Sequence, residues 1–293
     1  MRQDQPPLTV YAELPAAPRV QTHLTKEHWH HLTKRDRVTG TLTLAVTTVD
    51  PLHVGSGVEY PFETNRGPVL ARDILLRKGA PLLPGASLKG VLRSLVEALG
   101  GGCNMEPECC GECPACVLFG FVTRRSGEHM GRVGAGDGVL RDSADADRIE
   151  LRFLPRAFAP RRAAGRRLYP TPRVELPREV PMVVVPAGVT FEVPLALSNV
   201  TESELGLVLL ASGCDGTFHP RAGGGKFGGL GRIAVRPERA VLRAGYDDPV
   251  PKRLDVDAIG AWVRGAIEAV RLPPGGEKAL AALRAAQGTG GTR

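Results

Sequence analysis

The chain of 293 residues can build one large domain or two small ones around a shared core, and its 42% apolar residues suffice for that core. A formal net charge of +7 favours a polyanionic partner such as nucleic acid. No apolar run approaches the length that spans a bilayer, Met1–Pro18 lack a signal-peptide core, and five of the six cysteines crowd into one segment. These features argue against membrane insertion and a secreted disulfide framework, and the expected location is the cytoplasm.

Residues 1–37 are rich in proline, charge and histidine, and read as an N-terminal arm; His28, His30 and His31 fit a solvated basic segment better than a metal site. Thr41–Val49 alternates Leu42, Leu44 and Val46 on one face, the pattern of a half-buried strand. It runs into Asp50–Gly57, a tight glycine loop with His53 and Ser56 beside it. A strand pair over Val69–Leu76 and Ala80–Leu83 turns at Lys78-Gly79.

Pro84–Leu99 reads as a helix, with Ser87 as its N-cap and Leu88, Val91, Leu92, Leu95, Val96 and Leu99 on one buried face. Lys89 and Arg93 lie four residues apart on another face, near the helix start. Added cations at a helix N-terminus suit an anionic backbone; an ordinary solvated face is the alternative.

Next comes the cysteine segment, Cys103, Cys109, Cys110, Cys113 and Cys116. Two-residue gaps let thiolates converge on one tetrahedral ion, with Cys110, Cys113 and Cys116 best spaced and Cys103 or Cys109 closing the site. A structural zinc, held by Cys103, Cys110, Cys113 and Cys116, is the expectation; an iron–sulfur cluster is the rival. The metal would staple a loop with too few apolar residues to hold itself.

Regularity fades from Arg124 to Pro181, where Gly131–Gly138 reads as a flexible turn and Arg148–Leu154 as a strand. Arg156, Arg161, Arg162, Arg166, Arg167, Arg173 and Arg178 follow among prolines, a density that suits phosphate contact. Met182–Val185 and Thr190–Leu197 read as strands flanking a Pro186-Ala187-Gly188 turn. Thr201-Glu202-Ser203-Glu204 is a capping box, with a helix running to about Ser212. In Gly223–Gly231 neither a dinucleotide fingerprint nor a Walker loop fits, since no strand–helix context surrounds it and Phe227 follows Lys226. What remains is a bare backbone with Lys226, able to approach a polyanion closely. Asp255–Val270 reads as an amphipathic helix, followed by a glycine-rich tail. Two β-α-β halves in this order predict an α+β, modified ferredoxin-like core with large insertions.

Five motifs now occur in order: L-H-V-G-S-G, L-P-G-A-S-L-K-G-V-L-R-S, C-P-A-C-V-L-F-G, V-P-A-G-V-T-F-E and G-G-G-K-F-G-G-L-G-R-I. Together they resemble the RAMP superfamily, specifically the repeated backbone subunit of type III CRISPR effector complexes, over roughly Thr41 to Val235. The resemblance implies an RNA-recognition-like palm over 38–254, with the zinc insertion at about 101–120 and a thumb-like insertion at about 155–181. A C-terminal helix and tail would occupy 255–293. It implies further copies of the chain in a filament along a CRISPR RNA, a complementary target RNA, and other effector subunits. His53, Ser56, Ser87, Lys89, Arg93 and Lys226 would sit at the guide backbone.

One departure matters. Type III backbone subunits that cut target RNA carry an aspartate in the loop before a P-V/I-x-x-D segment. Here Asn65-Arg66-Gly67 precede Pro68–Asp73, and Glu59 and Glu63 are the only carboxylates between Gly57 and Pro68. An amide or guanidinium cannot act as a general base at neutral pH, whereas Arg66 can hold a phosphate. The expectation is a binding subunit that leaves cleavage to a separate nuclease, as in type III-derived systems such as type VII. A target-cutting ribonuclease using Glu63 or a nearby aspartate, and a solitary RNA-processing endoribonuclease, are the alternatives.

Overall fold

In the computed structural model of the chain the described residues are 12–14, 18–22, 28, 36–103, 108–124, 127–155, 166–169, 178–244 and 250–288. Most of the expected arm, His30 and His31 included, and most of the arginine-rich insertion, Arg156, Arg161, Arg162 and Arg173 included, lie outside them. Where it is described, the arm is docked. A short strand, β1 (Ala12–Leu14), buries Leu14 and pairs with β12 (Arg166–Leu168).

The expected first strand is β2 (Arg37–Thr48), and it sits at the centre of the main sheet. It pairs antiparallel with β14 (Thr190–Thr201) on one side and β15 (Ile233–Ala244) on the other. Burial is not confined to one face: Leu42, Leu44 and Val46 are joined by Thr43 and Ala45, each less than a tenth exposed. Over Leu42–Val46 the strand is therefore buried on both faces rather than one. Phe191, Val193, Leu195 and Leu197 on β14 alternate inward as the pattern predicts. β14 also carries β9 (Val133–Ala135) and β10 (Val139–Leu140), so Gly131–Gly138, read as a flexible turn, contributes an edge strand. β16 (Lys252–Leu254) closes the other edge on β15.

Four further strands form a second sheet, in the order β11 (Glu150–Pro155), β13 (Arg178–Val184), β4 (Val69–Ile74) and β3 (Gly55–Phe62). Two expected pairings change here. β4 pairs with β3 and β13, and only the short hairpin β5 (Leu76–Arg77) and β6 (Ala80–Pro81) turns at Lys78-Gly79, both at positive φ (54° and 82°). β13 and β14 do not pair with each other: Pro186–Gly188 carries the chain from one sheet to the other. Thr48 secures that crossing, its Oγ1 donating to Pro186 O (2.7 Å) and accepting from Val189 N (3.0 Å).

Helices cover the main sheet. α1 (Gly85–Gly100) starts two residues before the expected cap. Pro84 is the residue before the first turn, and the Gly85 N–H donates instead to Asp137 Oδ1 at 3.0 Å. Ser87 is thus inside the first turn. α3 (Glu202–Ala211) has the expected capping box at Thr201 and Glu204, and its run from Leu205 to Ala211 is wholly buried. Such a helix needs cover on every side, and α1 and α4 (Val256–Glu268) supply part of it. Asp255 caps α4 by accepting the Ala258 N–H at 3.1 Å. Beyond α4 the expected tail contains another helix, α5 (Gly276–Gln287), which buries Ala279, Leu280 and Leu283 and packs against α1. No helix among the described residues is long and apolar enough to cross a membrane.

Candidate nucleic-acid interface and metal centre

A cleft of about 560 Å³ opens between α1, the β2–β3 connection, β12, the glycine-rich loop and α5. From α1 it takes the face with Ser87, Gly90, Ser94 and Leu95. The glycine-rich loop contributes Arg221, Gly223, Gly224 and Lys226. The loop is held by pairing of its backbone with His53, whose carbonyl accepts the Gly224 N–H at 2.8 Å. Gly223, at φ 70°, has no room for a side chain, since a Cβ there would lie 2.2 Å from His53 O. The bare backbone of the loop is thus packing as well as access.

Arg221 commands this wall and was not foreseen in the sequence. Its side chain is 2% exposed. Nη1 donates to Leu230 O (2.6 Å) and Asp50 Oδ2 (3.1 Å), and Nε donates to Tyr169 O (3.0 Å). Its Nη2 is buried and has no hydrogen-bond partner among the described residues. Asp50 also accepts from Arg232, Nε donating to Oδ2 and Nη2 to Oδ1, each at 2.8 Å. One carboxylate facing two guanidinium groups leaves the cluster net positive. Burial, and then the charge of Arg221, lower the Lys226 pKa from the ordinary lysine value. An anion between Arg221 and Lys226 would relieve both costs.

The expected backbone-contacting residues divide. Ser87 and Lys226 line the cleft. His53 is 5% exposed and structural, its Nδ1 donating to Val183 O at 2.7 Å, and burial holds its pKa below the usual histidine value. Ser56 is spent on the β3–β4 pair, donating to Asp73 O at 3.3 Å and accepting from Val58 N at 3.2 Å. Arg66 is exposed on the turn between β3 and β4, an eight-residue strand from Gly55, roughly 25 Å along the sheet. Lys89 and Arg93 leave α1 on a face other than the one lining the cleft. Arg93 points at the cysteine segment, donating to Gly120 O (2.7 Å), Glu97 Oε1 (3.1 Å) and Cys109 Sγ (3.2 Å). Arg167, from the arginine-rich stretch, does reach the cleft.

The sulfurs of Cys103, Cys110, Cys113 and Cys116 all lie within 4.8 Å of one another, close enough to hold a metal ion. Cys113 is the N-cap of α2 (Pro114–Phe119), which carries Cys116 on its first turn. The backbone N–H groups of Glu112 and Cys113 donate to Cys110 Sγ at 3.3 and 3.2 Å, a turn that favours a thiolate. Hydrogen bonding from Cys116 lowers the Cys113 pKa from the ordinary thiol value. Cys109, one of the two candidates to close the site, is outside this group.

No curated protein matches the chain. Among solved structures it is similar to the crystal structure of Thermofilum pendens Csc2, at 15% identity and a TM-score of 0.40, with 90% of this chain and 86% of that chain covered. The family model of the RAMP superfamily matches residues 45–154, from β2 through α1 and the cysteine segment to β11. Over that stretch, somewhat more than a third of the chain, the sequence is similar to the RAMP superfamily, the family that its motifs resemble.

Proposed function

We propose that the chain is a CRISPR RNA-binding backbone subunit whose cleft seats the guide backbone, and that it presents the guide to complementary target RNA in a filament of further copies. The observation that carries this is the buried Nη2 of Arg221, without a hydrogen-bond partner among the described residues, lining one cleft with Lys226 of the glycine-rich loop. Guanidinium forks match phosphate oxygens, and bare backbone lets a chain of phosphates pass close by. The sheet order β9-β14-β2-β15, with α1 and α3 as the crossovers, supports a ferredoxin-like palm. The insertion at about 155–181 is where a thumb would project, between β11 and β13 of the second sheet.

Phosphate contact makes binding salt-dependent and nearly blind to sequence. Lys226→Ala is expected to weaken binding of unrelated single-stranded RNAs alike, on the order of tenfold, and to lower the salt slope by about one. Fluorescence anisotropy across a salt series checks this. A loss confined to one RNA sequence would contradict backbone seating.

The metal is best read as structural zinc. A tetrahedral ion with zinc–sulfur bonds of ~2.3 Å sets its sulfurs about 3.8 Å apart. Cys103 Sγ and Cys116 Sγ are 3.8 Å apart. Four thiolates leave no open position for water, so zinc here would order the loop rather than catalyse.

The β3–β4 hairpin supports cleavage by a separate nuclease. Glu59 faces Arg72 at 3.9 Å, and Asp73 Oδ1 accepts the N–H of Ile74 at 2.8 Å. Both carboxylates are engaged within the hairpin itself rather than held free as a general base would be. The protein on guide RNA is expected to bind a matching labelled target and leave it full-length on a denaturing gel. Regularly spaced cuts that Glu63→Ala or Asp73→Ala abolishes would show that this subunit is itself the nuclease.

A further inference from the structure

We infer that Arg93 is the charge partner of the four-cysteine metal centre, a positioning residue for the metal and not a contact to RNA. This rests on the metal reading above. Zinc with four thiolates is an anionic complex, and burying it requires a nearby cation or several N–H donors. Arg93 is the cation in place: its Nη2 lies 3.2 Å from Cys109 Sγ and 3.6 Å from Cys116 Sγ, a sulfur of the metal set. Its other nitrogens are anchored. Nε donates to Glu97, one helical turn on, whose side chain is 1% exposed, and Nη1 donates to the carbonyl of Gly120. The guanidinium is thus fixed by its own helix and by the residue that ends α2, and its remaining nitrogen is aimed at the sulfurs.

The arrangement also assigns the fifth cysteine. Cys109 does not join the metal set, yet its sulfur shares the same guanidinium nitrogen as Cys116. It completes the acceptor shell of Arg93, and the four-cysteine set holds the metal without it. Arg93 in turn ties α1, which forms one wall of the cleft, to the metal loop. A lysine could not replace it, because one ammonium cannot span Glu97, Gly120 and two sulfurs.

The test uses the full-length protein as purified, with Arg93→Lys, Arg93→Ala and Cys109→Ser variants. Zinc release to a chromophoric chelator is followed in time, and the sulfur-to-metal charge-transfer band is recorded after cobalt substitution. Partners of this kind contribute on the order of ten- to a hundredfold to metal affinity. The expectation is at least tenfold faster zinc loss in Arg93→Lys with a shifted cobalt band, unchanged one-to-one zinc in Cys109→Ser, and RNA affinity within about twofold of wild type when zinc is in excess. Arg93→Lys keeps the charge and most of the packing, so it reports on the bonds even if Arg93→Ala fails to fold. Wild-type protein carrying no zinc would overturn the metal reading and this inference together. Stoichiometric wild-type zinc whose release and cobalt spectrum are untouched by Arg93→Lys would overturn the inference alone. So would a loss of RNA affinity in zinc-saturated Arg93→Lys that matches the loss in Lys226→Ala.

Discussion

Cys116→Ser protein is expected to purify without metal and to melt far below the wild type, if it folds at all. Structural zinc contributes about 10–16 kcal/mol in small zinc-binding peptides, and a whole domain is commonly stable by only about 5–15 kcal/mol. The size of the effect here depends on how deeply the site is wired into the core. It is deep: Cys113, Ala115, Cys116, Val117, Leu118 and Phe119 are all buried, and all but Val117 belong to the main apolar cluster with Leu88, Leu92 and Leu207. Loss of the ion would release α2 from α1 and open that cluster, not merely fray a surface loop. Metal content per chain and a calorimetric melt, with and without a strong chelator, check this. A brown protein containing iron, or a melting temperature unaffected by Cys116→Ser, would sink the zinc assignment.

Arg132→Ala should cost about 3–5 kcal/mol, the range for stripping one partner from a buried ion pair. The Arg132 side chain is fully buried, and it meets Glu204 through both terminal nitrogens, Nη1 donating to Oε2 at 3.0 Å and Nη2 to Oε1. Nη1 also donates to Asn199 O (2.7 Å) and Nε to Val117 O (3.3 Å). Removing the guanidinium therefore strips the bidentate cation from Glu204 and a donor from the carbonyls of Asn199 and Val117, leaving Glu204 only its bonds from Thr201. The same geometry fixes a pH dependence. Burial opposes ionisation of Glu204, but the hydrogen bonds and charge of Arg132, with the Thr201 N–H, outweigh it and lower its pKa from the usual carboxylate value. A depressed folded-state value means the contribution is complete above the unfolded carboxylate pKa of about 4.3 and is lost as pH falls through the folded one. Urea melts of wild type and Arg132→Ala should thus differ fully at neutral pH and converge in acid. Equal stability at pH 7 would refute the assignment.

Much of the frame was legible because burial writes a local period into the sequence. The alternation on β14, the apolar face of α1 and the capping box of α3 each declare an element without reference to distant residues. Thr43 and Ala45 were not readable as buried, since small residues on a strand look the same whether a second layer covers them or water does. Partner choice was hidden for the same reason: nothing within Val69–Ile74 says that it will pair with β3 and β13 rather than run into the Lys78-Gly79 hairpin. In the candidate site, cysteine spacing picked out the four sulfurs that lie close enough to hold a metal ion, but helix periodicity could not say which flank of α1 faces the cleft. Lys89 and Arg93 were consequently expected at the guide, and Arg93 is found on the cysteines. Arg221 gave no local signal at all. Its importance comes from Asp50, Leu230 and Tyr169, which only the folded chain brings together.

The carbonyl of Tyr169 has a mechanical meaning. It accepts from Arg221 Nε at 3.0 Å and from Gln287 Nε2 at 3.3 Å, so one oxygen joins the strand leaving the arginine-rich insertion to the glycine loop and to α5. β12, the glycine loop and α5 thus share a single acceptor: displacing this oxygen would cost Arg221 and Gln287 a bond together, while Nη1 of Arg221 stays tied to Leu230 O and Asp50.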